Sequence, residues 1–68
     1  MQPGNLVRIT RTKYGKPAGA LAFIFETYET RARGGTKVFH VELLGYYKSG
    51  TQEPLTGRYL EGDLELVS

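Results

Sequence analysis

The chain has no cysteine and no tryptophan, and its 68 residues include a single histidine. Without thiols it can form neither a disulfide nor a thiolate metal site. One imidazole excludes the multi-histidine zinc sites. No stretch carries apolar residues at i, i+3, i+4 and i+7 between capping residues, so no long helix is predicted. The longest apolar run, Ala20 to Phe25 (ALAFIF), has the length of a strand and falls far short of a membrane span. The Met-Gln-Pro-Gly start lacks the basic-then-apolar layout of a secretory leader. With no thiols, leader or span, the expectation is a cytoplasmic protein that does not enter a membrane.

Catalytic constellations are missing as well. His40 has no marked nucleophile or orienting group beside it in the sequence, and a hydrogen-bonded surface histidine is its plainer role. The acidic run Glu61, Asp63 and Glu65 lacks the ligand spacing of a calcium loop. The segment YGKPAG lacks the spacing of a phosphate-binding P-loop and the Ser or Thr after its lysine. We therefore expect no enzyme, no catalytic residue, no cofactor and no metal. A chain this short forms one domain, residues 1–68, and buries only about 60% of its unfolded surface.

What the chain does have is strand signals separated by turns. Pro3-Gly4-Asn5 is a turn, and the following LVRITR alternates Val7 and Ile9 with Arg8 and Thr10, as a half-buried strand does. ALAFIFETYET is a longer strand whose apolar pattern changes phase, which predicts a bend or bulge. RARGGT is a hairpin tip, with Gly34-Gly35 free to take positive φ. KVFHVELLG puts Phe39, Val41 and Leu43 on one side and Val38, His40 and Glu42 on the other. YYKSGTQEPLTG reads as a long polar loop, and Glu61-Gly62-Asp63 as a turn before a last strand, LELV. The predicted core is Val7, Ile9, Leu21, Phe23 or Ile24, Phe39, Val41, Leu43, Leu60, Leu64 and Leu66. A flat sheet of these strands would leave one side wet and two edges open, and curling into a barrel hides both.

Charge is small in total, +2, but unevenly distributed. Residues 1–37 hold seven cations against Glu26 and Glu29, while residues 38–68 hold Lys48 and Arg58 against five anions. The halves are therefore +5 and −3. Either the molecule is two-sided, or the two sets are solvated strand faces that pair with each other across the barrel.

The opening PGNLVRITRTKYGKPAGALAFI resembles the KOW motif of NusG-type transcription factors and a ribosomal protein family, with Gly4, Val7, Ile9, Gly15, Gly19, Leu21 and Ile24 in the motif's places. Pro17, between the two loop glycines, departs from the usual pattern. The ending YLEGDLELVS is similar to the close of such barrels, and VRITR and LELV have analogues in the SH3-like subunit of photosystem I. The resemblance implies an all-β, SH3-like barrel of about five short antiparallel strands, with at most a one-turn helix before the last.

The candidate binding residues follow from charge and glycine content. Arg8, Arg11, Lys13 and Lys16 surround a Gly- and Pro-bearing loop in which Tyr14 offers a flat ring, an arrangement that suits phosphate contact and base stacking. The same residues also satisfy the plain needs of an exposed tight turn. Arg31, Arg33 and Lys37 flank the Gly34-Gly35 tip. If both loops meet, their cations line one side, and five phosphate contacts would give a salt slope of about −4 to −5. Neighbours on a strand point to opposite sides, so one of Tyr46 and Tyr47 should be exposed, and Tyr47 beside Lys48 is a further contact candidate. The leading expectation is a binding module for nucleic acid or a nucleoprotein, working as a monomer or weak oligomer. The alternative is a protein-docking or assembly subunit using the same barrel. Cations on one continuous face favour the first, and cations paired to the chain's own carboxylates favour the second.

Overall fold

The computed structural model describes residues 1–12, 17–31 and 34–68. Five strands follow one another: β1 (Leu6–Ile9), β2 (Leu21–Thr30), β3 (Thr36–Tyr47), β4 (Pro54–Leu60) and β5 (Leu64–Leu66), with a one-turn 3-10 helix, Glu61–Asp63, between the last two. All pairings are antiparallel, in the order β4-β3-β2-β1-β5. The expected all-β class and the single helical turn before the last strand are both observed.

Connectivity alone forces this sheet to curl. β4 and β5 are its two outer strands, yet only the 3-10 turn joins them. Four spacings of about 4.8 Å would set them about 19 Å apart in a flat sheet. The four steps from Leu60 to Leu64 span at most about 14 Å fully extended. Curling brings Tyr59 of β4 and Leu64 of β5 into one core with Val7, Ile9, Ala20, Ala22, Ile24, Phe39, Val41 and Leu43.

The bend sits where the phase of β2 changes. Ala22 pairs with Leu43 and Ile24 with Val41, but Glu26 pairs with His40, so Phe25 is an extra residue on β2. Such a bulge sharpens the twist and lets a long strand wrap the core. Gly34 and Gly35 close the β2–β3 hairpin at φ +82° and +85°. A Cβ on Gly35 would meet only ordinary contacts at 3.7 Å, so its cost is backbone strain alone. Gly35→Ala is expected to destabilise the fold by about 1 kcal/mol in thermal melts, and a silent substitution would contradict that backbone.

The predicted core needs correction at several places. Ile24, not Phe23, points inward, because Ala22 and Ile24 stand opposite the inner residues Leu43 and Val41. Phe23 is 42% exposed and Leu21 half-buried. Leu60 is exposed because it pairs with Val38, on the outer side. Leu66 is exposed on a three-residue strand at the sheet edge. Ala20, Ala22 and Tyr59 take the inner places instead, and Val38 is buried on the outer side. The long loop predicted over 46–57 is also shorter. β3 runs on to Tyr47 and β4 begins at Pro54, leaving a turn tied by Lys48 and Thr51. Neither tyrosine of the Tyr46-Tyr47 pair fills the core, and both are exposed. Gly45 at φ +80° and a register shift between Glu42 and Tyr47 carry this end of β3 past the core.

Tyr59 is buried beside Phe39. Burial, and secondarily the charge of Asp63, push its phenol pKa above the ordinary 10.0. The unfolded chain therefore loses this proton first. Stability is intact below about pH 10 and falls as pH rises from there through the higher folded value. Tyr59→Phe is expected to flatten that alkaline loss of melting temperature, and an unchanged alkaline slope would contradict it.

Candidate docking surface

Two of the four described cations of the first half, Arg8 and Arg11, lie against the chain's own carboxylates. Antiparallel register sets Arg8 opposite Glu65, with Nη1 3.9 Å from Oε1. Arg11 Nε lies 3.3 Å from Asp63 Oδ1, a carboxylate whose side chain is 11% exposed. The 3-10 turn holds that carboxylate in place, with the Thr10 N–H donating to the Asp63 carbonyl at 2.9 Å. Lys48 Nζ lies 3.6 Å from Glu53 across the β3–β4 turn. Lys37 Nζ is 5.5 Å from the Phe39 ring centroid. The exposed ion pairs Arg8–Glu65 and Lys48–Glu53 add little stability, but each ion pair offsets local positive potential.

The two basic loops are attached at opposite ends of β2. Its ten residues separate them by up to about 30 Å along the strand. Arg11 stands at one end, beside the 3-10 turn, and exposed Arg31 at the other. Tyr47 and Lys48 sit at a third place, the β3–β4 turn. The described candidates therefore form no single row. Lys13, Tyr14, Lys16 and Arg33 lie outside the described residues.

A different surface is continuous. On the outer side of the sheet, register sets Leu6 beside Phe23 and Arg8 beside Leu21. Leu44 comes level with Leu21 one step beyond the Ala22–Leu43 pair. Alternation points Phe25 outward and the bulge sets Glu26 beside it on the same side; the Phe25 ring meets the His40 ring at 4.3 Å between centroids, tilted by 44°. His40 in turn has Nδ1 3.6 Å from Glu26 Oε1. Phe23, Phe25 and Leu44 remain 42%, 47% and 41% exposed. The two phenyl rings alone leave about 150–200 Å² of apolar surface in water. Around them stand Glu26, Glu42 and Glu65 against Arg8 and Arg58, an excess of negative charge.

This ridge escapes a reading of the sequence because Leu-Ala-Phe-Ile-Phe is apolar on both sides of the strand. One signal was available. An antiparallel strand of a small domain buries one side, so a strand apolar on both has one side to spare. In this run Ala22 and Ile24 face the core, and Phe23 and Phe25 face out.

Among the described residues no cluster of three His, Asp or Glu side chains could hold a metal ion. The depression lined by Tyr47, Thr51 and Gln52 is an open dish at the turn. Among the described residues no helix is long and apolar enough to cross a membrane. In comparisons with known proteins, no family model, no curated protein and no solved structure matches this chain.

Proposed function

We propose that the chain is a non-enzymatic binding module that docks a protein partner as a small subunit of a larger assembly. One observation carries this reading. The outer side of β2 leaves Phe23 and Phe25 in water, framed by more carboxylates than cations, while Arg8 and Arg11 lie against Glu65 and Asp63. Exposed aromatic anchors beside a polar rim are what protein interfaces use. A phosphate backbone would be repelled by Glu26 and Glu42. The KOW-like opening agrees with a barrel that serves as a platform for other molecules.

The second reading, nucleic-acid binding through the loops, draws support from exposed Arg31 at the hairpin tip and from Lys37 near it. Titration with short DNA and RNA strands at low and physiological salt separates the two. The docking reading expects no saturable binding at low salt. Salt-sensitive binding that Lys13→Glu with Lys16→Glu abolishes would overturn it in favour of the loops.

A further inference from the structure

Beyond the docking ridge, β2 has an open edge. β1 accompanies it only from Leu21 to Phe23, with two further hydrogen bonds at Ile24: the Gly4 N–H to its carbonyl at 2.7 Å, and its own N–H to the Asn5 carbonyl at 3.1 Å. The chain before Asn5 turns away, with the Asn5 N–H on the Gln2 carbonyl and Met1 packed against the core. From Glu26 to Thr30, β2 pairs with β3 on one side, and among the described residues no strand pairs with it on the other. An edge strand directs the N–H and C=O of every second residue toward such a lane, where they form a template for another strand.

The sequence of this edge, Glu-Thr-Tyr-Glu-Thr, is self-complementary when run against itself. In an antiparallel pair with a two-fold axis at Tyr28, Glu26 faces Thr30 of the second copy and Thr27 faces its Glu29. Each carboxylate meets a hydroxyl-bearing residue and never another carboxylate. Outer side chains stay level with outer ones, as such an axis requires. At the axis Tyr28, 37% exposed, meets its own copy.

A second feature lies on the same line. Tyr28 pairs with Val38, and Val38 with Leu60, all on the outer side of the sheet. This apolar row ends in solvent at Tyr28. Joining two copies there makes one unbroken row, Leu60–Val38–Tyr28 and its mirror, across six strands.

We propose that this edge joins two copies of the chain, β2 against β2, in a continuous sheet centred on Tyr28. The paired segment is five residues long, so the dimer is weak, with a dissociation constant on the order of 10⁻⁴ M. The docking ridge at Phe23 and Phe25 lies beside the seam, and the inference does not depend on what that ridge binds.

The chain's lack of cysteine makes the test direct. Sedimentation equilibrium of the wild-type protein across a concentration series should show a monomer–dimer equilibrium. Tyr28→Lys, which opposes two ammonium groups at the axis, should weaken it at least tenfold while circular dichroism stays unchanged. Tyr28→Cys should oxidise to a disulfide-linked dimer at least ten times faster than Ser49→Cys on the exposed β3–β4 turn. A monomer at every concentration, a dimer indifferent to Tyr28→Lys, or equal cross-linking at both positions would each overturn the proposal.

Discussion

Phe39→Ala is expected to leave the chain largely unfolded at room temperature. Phe39 is 1% exposed and lies at the middle of the core, between Thr27 of β2 and Tyr59 of β4. Removing a buried phenyl ring costs about 3–5 kcal/mol, from lost transfer energy and from the cavity left behind. A single core in a chain this short supplies net stability of the same size, about 3–5 kcal/mol. There is no disulfide to hold the unfolded chain in check. Loss of the cooperative thermal transition, read by circular dichroism, is the expected result. A variant that still melts cooperatively near the wild-type temperature would mean that the curled sheet does not close over Phe39.

Phe23→Asp is expected to do the opposite. It should leave the fold intact and abolish docking. Phe23 has Leu6 on one neighbouring strand, Glu42 on the other, and Leu21 and Phe25 on its own strand, so it is the centre of the ridge. Anchors of this kind carry most of an interface's energy, about 2 kcal/mol or more each, whereas an exposed substitution moves stability by about 0.5 kcal/mol. Peptides selected against the wild-type protein from a displayed random library supply the ligand. Their affinity should fall at least thirtyfold on Phe23→Asp, with the melting temperature nearly unchanged. Selected peptides that bind the variant as well would place the interface elsewhere.

The contrast between these two phenylalanines also marks what the sequence could tell. Phe39 shares its side with Val41 and Leu43 while His40 and Glu42 mark the other, so period-two alternation assigns its side. Val7 and Ile9, flanked by Arg8 and Thr10, are read in the same way, and the glycine pair announces the hairpin between β2 and β3. Phe23 has apolar neighbours on both sides. Its direction is decided by which face of β2 meets Val41 and Leu43 across the sheet, a tertiary choice that no local pattern contains. Leu60 and Tyr59 exchanged their expected places for the same reason. The charge distribution was visible from composition, but its cancellation was not. Arg11 meets Asp63, and Arg8 meets Glu65, only because β5 returns to lie beside β1.

The most direct measurement is an amide chemical-shift map of the labelled protein titrated with a selected peptide. If the chain is a docking subunit, the shifts gather on Leu6, Leu21, Phe23, Phe25, His40 and Leu44, on the outer side of β1, β2 and β3. Shifts confined to Lys13–Lys16 and the Arg31–Gly35 tip, with that outer side silent, would contradict it.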